Sequence, residues 1–118
     1  DALRAALAVV AAVDAAAEEF RAIGWTGPFQ IGAGVATGTV VVGVVGAKGR
    51  FEYTVIGNAV NRAAKLEAAN KALGVRVLTD GDTLDEARAQ GFVGAPRAVH
   101  RDRLIEGMGR RMDLLVMA

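Results

Sequence analysis

Three polar residues near the middle of the chain have the types and the spacing to bind a nucleotide. Asn61 and Lys65 are four residues apart in a stretch with helical periodicity, so their side chains lie one turn apart on the same helix face. An amide and an ammonium aligned in this way can hold a ribose and a phosphate together. Thr54 precedes the glycine turn before this helix, and its hydroxyl could bind the edge of a base. The spacing therefore indicates a nucleotide site formed by a turn and the helix that follows it.

The same residues also have ordinary structural roles. If Asn58 caps the helix, Asn61 is the third helical residue, and its amide can complete a capping arrangement. Lys65 would then be a solvated helix residue, and Thr54 would be a strand threonine. Spacing alone leaves both interpretations open.

The composition excludes several classes of protein. The 118 residues include no cysteine, no serine and one histidine, His100. A Ser/His or Cys/His hydrolase cannot be built from them, and neither can a disulfide or a thiolate metal site. The formal net charge of +1 creates no strong attraction to a nucleic acid polymer or an anionic membrane. No segment has the length and hydropathy of a membrane span, so we expect a soluble, cytoplasmic segment without membrane contact, although the full-length protein could be membrane-anchored.

The apolar periodicity predicts three helices and five strands. The predicted elements are a helix over 3–20 ended by Gly24, strands over 31–35 and 39–45, a helix over 58–73 capped by Asn58 and stopped by Gly74, a strand over 75–78, a helix over 83–89, and strands over 98–106 and 112–116. The spacing of the first two strands predicts a β-hairpin between them, and 46–53 is predicted as a loop or a hairpin tip. This order of elements is typical of an α+β domain with an at least partly antiparallel sheet.

Two glycine-rich runs resemble nucleotide-binding motifs but have the wrong spacing. Strand-forming residues follow the run 32–38, where a dinucleotide-binding turn must open a helix. In the run 43–49 the glycines before Lys48 do not have the spacing of a phosphate-binding loop. We therefore interpret these glycines as positions of close backbone packing and of a tight turn.

The run from Tyr53 to Glu67, YTVIGNAVNRAAKLE, closely resembles the class III adenylate and guanylate cyclase catalytic domain. The leading helix, the strand over 31–38, the VVGVVG run and the closing hairpin occur in matching order, so the resemblance covers essentially the whole chain. It implies a partial, ferredoxin-like cyclase fold of the α+β class, with a mostly antiparallel sheet and helices packed mainly on one face. It also implies that residues 1–118 are the C-terminal portion of one catalytic domain, whose N-terminal metal-binding portion is missing.

The resemblance implies a reaction for the full-length protein. The 3′-hydroxyl of ATP, or of GTP, attacks the α-phosphorus, and pyrophosphate is the leaving group. The product is a 3′,5′-cyclic nucleotide that serves in signal transduction. In the family, aspartates of one subunit bind Mg²⁺ or Mn²⁺, while the other subunit of the dimer supplies the groups that contact the base and the transition state. Those aspartates precede the first helix of this chain in the family, so we assign no metal ligand here. We therefore expect the fragment alone to be inactive.

The motif implies a role for each of five residues. By position, Thr54 contacts the purine and favours adenine, Val55 offers its backbone carbonyl to the base, and Val60 lines the pocket. Asn61 orients the ribose, and Lys65 stabilises the transferring phosphate. Asn61 and Lys65 are therefore the predicted catalytic residues, and Thr54, Val55 and Val60 the predicted substrate-binding residues.

The resemblance also predicts how two subunits meet. The segment over 48–52, with Lys48, Arg50 and Glu52, resembles the arm that reaches across to the partner in a homodimer. A sheet that lacks part of its strands has an exposed edge and an exposed apolar face, so we also expect self-association or exchange of elements between chains.

Two positions depart from the family pattern. Lys65 stands where the family usually has arginine, and it keeps the charge while losing the bidentate fork. Glu106 stands where many relatives have a lysine or arginine, and a carboxylate there repels the terminal phosphates. Arg110 and Arg111 are close enough in sequence to compensate. These departures leave open an alternative function, that of a degenerate, non-catalytic cyclase-like module for regulation or dimerisation.

Overall fold

A computed structural model describes all of residues 1–118 and contains three helices and six strands. In chain order the elements are α1 (Ala2–Ala22), β1 (Ala33–Val35), β2 (Val41–Ala47), β3 (Arg50–Ile56), α2 (Asn58–Leu73), β4 (Val77–Thr79), α3 (Gly81–Ala89), β5 (Ala98–Leu104) and β6 (Arg111–Val116). The predicted order of elements is therefore right except for β3, which lies mostly within the segment predicted as a loop or a hairpin tip.

Local hydrogen bonds explain where the helices begin and end. The Asp1 carboxylate accepts a hydrogen bond from the backbone N–H of Arg4 at 3.1 Å and caps α1. The Asp80 carboxylate does the same for Thr83 at 2.8 Å, so α3 begins two residues earlier than predicted. The helix α2 ends as predicted because Gly74 adopts a left-handed conformation with φ +66°. None of the three helices combines the length and apolar character that crossing a membrane requires.

The strands form two separate sheets, and the predicted hairpin between 31–35 and 39–45 is wrong. The strand β1 instead pairs with β4 in parallel, with Ala33 opposite Val77. The strand β2 pairs with β3 in an antiparallel hairpin whose last pair joins Ala47 to Arg50. We call this two-stranded unit, residues 41–56, the β2–β3 hairpin.

A two-residue turn selects the partner of β2. Lys48 and Gly49, between the two strands, both have positive φ, +54° and +82°, as a type I′ hairpin turn requires. Closing so short a loop costs little chain entropy, so β2 pairs with the strand that immediately follows it. The strand β1 is then free to pair with β4 in the larger sheet.

The larger sheet has the strand order β1-β4-β6-β5 and carries a core on each face. Helices α1 and α3 pack on one face around Val77 and Leu115. Helix α2 packs on the other face, where Leu66 contacts Leu78 and Leu114. Three of the four strand pairings are antiparallel. The α+β class and the mostly antiparallel sheet are confirmed, and two of the three helices share one face.

Gly34 sets the distance between α2 and the sheet. A Cβ atom at this position would lie 2.2 Å from the carbonyl oxygen of Ala63 and 2.4 Å from the backbone nitrogen of Glu67. Only glycine therefore permits this approach of the α2 backbone to β1, and the predicted close backbone packing is confirmed at Gly34.

The β2–β3 hairpin makes few contacts with the other elements. Its large apolar side chains are mostly in solvent, including Phe51 and Tyr53, which are 73% and 79% exposed. An isolated two-stranded hairpin is only marginally stable in water, and a continuous apolar surface of this kind marks an interaction site. The hairpin therefore leaves most of its apolar side chains exposed in the single chain and is a candidate interaction surface.

Candidate functional site

The five predicted site residues lie on the two sides of a single glycine, Gly57, which joins β3 to α2. Thr54 and Val55 lie in β3, and Val60, Asn61 and Lys65 lie in the first two turns of α2. The Thr54 side chain is half-buried, whereas Asn61 and Lys65 are exposed. The turn thus holds the base-contacting candidates and the catalytic candidates in a fixed relation.

Gly57 begins α2 in a conformation that other residues avoid. Its φ of +156° and ψ of +164° belong to a region that is essentially restricted to glycine, and a Cβ atom there would lie 2.9 Å from the carbonyl oxygen of Thr39. The Gly57 carbonyl accepts hydrogen bonds from the N–H groups of Val60 and Asn61 at 3.1 and 3.2 Å. Gly57 is therefore the capping residue, and the prediction that Asn58 caps α2 is wrong.

Because Gly57 and not Asn58 is the capping residue, Asn61 does not complete a capping arrangement. No side-chain hydrogen bond caps α2, and Asn58 is already the first helical residue. The third helical residue is consequently Val60. The exposed Asn61 amide has no role at the helix start and is available to a ligand, with two donor hydrogens and an acceptor oxygen.

Lys65 lines a cleft between α2 and the turn that joins β5 to β6. The cleft has a volume of about 380 Å³ and a mostly apolar wall. Its polar lining residues are Lys65, Arg103 and Glu106. The lysine side chain reaches the turn itself, because a Cβ atom on Gly107 would lie 2.9 Å from Lys65 Cε and 3.0 Å from its Nζ.

The balance of charge in this cleft favours an anion. Neither Lys65 nor Arg103 takes part in any of the five ion pairs of the chain. These cations outnumber the single carboxylate, that of Glu106, so the cleft has a net positive charge that suits a phosphate group.

Arg103 was not among the predicted site residues, and the compensating charge was predicted at Arg110 and Arg111 instead. Arg110 and Arg111 line a different cleft, of about 240 Å³, together with Asp80, Asp82 and Asp113. The Arg111 guanidinium also lies 3.7 Å from the carboxylate of Asp102. Because Arg103 sits in a run of alternating charges along β5, no spacing rule distinguishes it from its neighbours.

A buried ion pair between Arg62 and Asp80 fixes the start of α2. Arg62 Nε lies 2.8 Å from Asp80 Oδ2, and the two side chains are only 13% and 7% exposed. The Arg62 guanidinium also donates a hydrogen bond to the backbone carbonyl of Thr37. The second oxygen of Asp80 accepts hydrogen bonds from the N–H and hydroxyl of Thr83, and the Thr83 hydroxyl accepts one from the Thr37 N–H. These bonds form a closed ring that joins α2, α3 and the end of β1.

The residues of this chain do not fit a metal centre. No three side chains among the histidine and carboxylate residues converge so that they could hold an ion. Asp80 is committed to Arg62 and Thr83, and Asp14 pairs with Arg76 at 2.8 Å. No step of the chemistry below is therefore assigned to a metal held by these residues.

Comparison with known proteins identifies a family. Residues 1–97 match the family model of the adenylate and guanylate cyclase catalytic domain. Adenylate cyclase 1 of Rhizobium meliloti is 42% identical over 87 residues, which cover 74% of this chain and 13% of that protein. An uncharacterized protein of Mycobacterium tuberculosis is 53% identical over 58 residues, or 49% of this chain and 11% of that protein.

The fold also matches a solved structure. The adenylyl cyclase CyaB from P. aeruginosa superposes with a TM-score of 0.75 and 25% identity, covering 95% of this chain and 54% of that one. The chain thus spans about half of the solved cyclase and a smaller share of the curated relatives. From the family match and the structural match, the chain belongs to the adenylate and guanylate cyclase catalytic domain family.

Proposed function

We propose that the full-length protein is an adenylate cyclase, which converts ATP to 3′,5′-cyclic AMP and pyrophosphate. The observation that carries this proposal is the β3–Gly57–α2 unit, which presents Thr54, Asn61 and Lys65 in the order of the cyclase motif. Adenine is favoured over guanine because Thr54 occupies the base-contacting position. The relative from Rhizobium meliloti, which carries the same activity in its name, supports this choice.

In the proposed reaction, the 3′-oxygen of ATP forms a bond to the α-phosphorus. The bond from that phosphorus to the bridging oxygen of pyrophosphate breaks, and the hydroxyl proton is lost to a base. The Asn61 amide orients the ribose so that the 3′-oxygen approaches in line. Such positioning is a large part of phosphoryl-transfer catalysis. Thr54, with the Val55 carbonyl and the Val60 side chain, holds the adenine.

Lys65 is proposed to neutralise the negative charge that develops on the transferring phosphate. Its ammonium is a point charge on a flexible stem, so it stabilises charge without the two parallel hydrogen bonds that an arginine makes. Arg103 lines the same cleft and is proposed to contact the leaving pyrophosphate, where Glu106 acts against it. The proposed chemistry therefore depends on two cations in the same cleft, Lys65 and Arg103.

Mg²⁺ or Mn²⁺ is proposed as cofactor, bound by residues outside this chain. A divalent ion would activate the nucleophile and screen the phosphates in this reaction class. Since no carboxylate cluster here fits an ion, the isolated chain is expected to make no cyclic nucleotide from ATP with either metal. Turnover by the purified 118-residue chain in a cyclic AMP immunoassay would contradict this.

The active unit is proposed to be a homodimer in which the β2–β3 hairpin contacts the second subunit. Lys48, Arg50 and Glu52 lie exposed at or next to the hairpin tip, and apolar side chains are exposed along the strands. Charged tips around an apolar centre are the arrangement of a protein interface.

The test is a cyclase assay of the full-length protein with ATP or GTP in Mg²⁺ or Mn²⁺. Turnover of ATP that falls at least about 100-fold in Asn61→Ala supports the proposal. A folded dimer that turns over neither nucleotide would contradict it and favour the regulatory module, for which Glu106 in the Lys65 cleft is the motivating observation.

A further inference from the structure

We propose that Arg62 is a positioning residue for the cyclase reaction, acting through its buried pair with Asp80. This inference rests on the proposed function. The Arg62 side chain is 13% exposed, and its polar contacts are with Asp80 and Thr37, not with Asn61 or Lys65. Its place in the sequence, directly after Asn61 and three residues before Lys65, makes it the internal anchor of the helix turns that carry both.

The start of α2 is fixed against two different parts of the chain. One guanidinium nitrogen forms an ion pair with the Asp80 carboxylate at 2.8 Å, and another donates a hydrogen bond to the Thr37 carbonyl. Gly38, the next residue, is equally close, because a Cβ there would lie 2.9 Å from that of Ala59 in the first turn of α2. Any rotation or slide of this turn would separate the Arg62–Asp80 ion pair, break the hydrogen bond to Thr37, or press Ala59 into the 37–38 loop.

The geometry requires arginine in particular. A lysine at position 62 keeps the positive charge but has one nitrogen, which cannot reach the carboxylate and the carbonyl in the same fork geometry. One of the two contacts is then lost, and the start of α2 gains freedom to shift. A displacement of about 1 Å at a catalytic group is enough to lower a rate about 100-fold.

We expect loss of an Arg62 contact to lower kcat and to change KM much less. Asn61 and Lys65 are proposed to act on the ribose and the transferring phosphate in the transition state. Two of the three proposed adenine contacts, those of Thr54 and Val55, come from β3, which makes none of the polar contacts of Arg62, and only Val60 lies in the anchored turn. Loss of interactions made chiefly in the transition state lowers kcat and leaves substrate binding nearly unchanged.

The chain offers a closely matched control in Arg76. Its Nε donates to the Ile31 carbonyl at 2.8 Å and another of its nitrogens pairs with Asp14 at 2.8 Å, so it has the same two kinds of partner as Arg62. Arg76 lies beyond the end of α2, away from Asn61 and Lys65. The variants Arg62→Lys and Arg76→Lys therefore make the same chemical change at a positioning and a purely structural site.

The experiment measures kcat, KM for ATP and the thermal midpoint of the full-length protein and of both variants. Rates are taken below the lowest midpoint. We expect Arg62→Lys to lower kcat about 10- to 100-fold with KM changed less than about threefold, and Arg76→Lys to keep both. Asp80→Asn is the second variant: it keeps the α3 cap, removes the charge facing Arg62, and is expected to lower kcat in the same way.

The outcomes separate the two proposals. An inactive but folded wild type would overturn the proposed function and this inference with it. An active wild type in which Arg62→Lys behaves like Arg76→Lys would overturn the positioning role alone. If Arg62→Lys does not fold, Asp80→Asn decides: an unchanged kcat in that variant overturns the role, and a lowered kcat at normal KM supports it.

Discussion

At the scale of single residues, the proposed chemistry depends on a lysine in a position where the family usually has arginine. Lys65 reaches from α2 to Gly107 and shares its cleft with Arg103 and Glu106. The ammonium lies at the end of four methylenes that pack along a mostly apolar wall, which leaves the charged end free for a ligand. The charge is present, but the bidentate geometry is not.

This predicts opposite effects for two substitutions. We expect Lys65→Ala to lower kcat about 100- to 1,000-fold, because a preorganised charge on the transition state is lost. Lys65→Arg is expected to retain or raise kcat, since arginine adds a second parallel hydrogen bond to the phosphate. Initial-rate kinetics of the full-length protein measures both.

Lys71 provides the matched control for these substitutions. It is an exposed lysine two turns further along the same helix and does not line the Lys65 cleft. Lys71→Ala should leave kcat within about twofold, as is usual for surface substitutions remote from the reacting atoms. A loss equal to that of Lys65→Ala would mean that α2 charge in general, and not the cleft lysine, drives the rate.

At this scale the positions of some residues could be predicted from the sequence and those of others could not. The five predicted site residues fall within one contiguous run, so their placement beside a shared turn and helix was predictable from local spacing. The pairing of Arg62 with Asp80 and the entry of Arg103 into the Lys65 cleft depend on elements that meet only after folding. Side-chain partners brought together by tertiary packing leave no periodic signal in the chain.

At the scale of elements, the range of α2 was predicted correctly although its capping residue was not, and the predicted pairing of the first two strands was wrong. Helix ends follow from local chemistry, such as the left-handed Gly74. Strand partners depend on which loop closes first, and the turn at Lys48–Gly49 has only its glycine in common with the usual Asn-Gly signature. The residue pattern therefore predicts a loop or a hairpin tip over 46–53, where β3 begins, and pairs 39–45 with the wrong strand.

Substitution of Gly34 tests how closely α2 must approach the sheet. A methyl group there would overlap the backbone of α2 at Ala63 and Glu67, which cannot move aside as a flexible side chain could. We expect Gly34→Ala to lower the free energy of unfolding by about 1–3 kcal/mol, the usual cost of overpacking. Urea unfolding followed by circular dichroism measures the change.

The control for this substitution is Gly81→Ala. Gly81 is the first residue of α3, its φ is not positive, and no atom lies within 4 Å of a Cβ built there. Alanine should be neutral or should stabilise by up to about 1 kcal/mol, because it restricts the unfolded chain. Equal destabilisation by both variants would show that loss of glycine itself, and not contact with α2, is the cause.

At the scale of the whole molecule, the core and the hairpin behave as two different kinds of structure. The larger sheet is covered on both faces by helices, with Leu66, Val77 and Leu78 fully buried. The β2–β3 hairpin has its own sheet and leaves its apolar residues in solvent. Folding of the single chain therefore buries the core residues but leaves the hairpin side chains exposed, and we propose that a second subunit covers them.

A charged substitution in the middle of the β2–β3 hairpin tests whether a second subunit covers the hairpin. Val44 is 57% exposed and faces Tyr53 across the ladder, so in the single chain an aspartate there remains hydrated. In a dimer that buries the hairpin, the same carboxylate loses its water without gaining a partner. We expect Val44→Asp to raise the dimer dissociation constant of the full-length protein more than about tenfold, as for other residues at the centre of an interface. Val93→Asp, at a side chain 97% exposed outside the hairpin, should leave the constant unchanged. Sedimentation velocity over a concentration series distinguishes the two, and equal constants for the wild type and Val44→Asp would rule out the hairpin as the dimer contact.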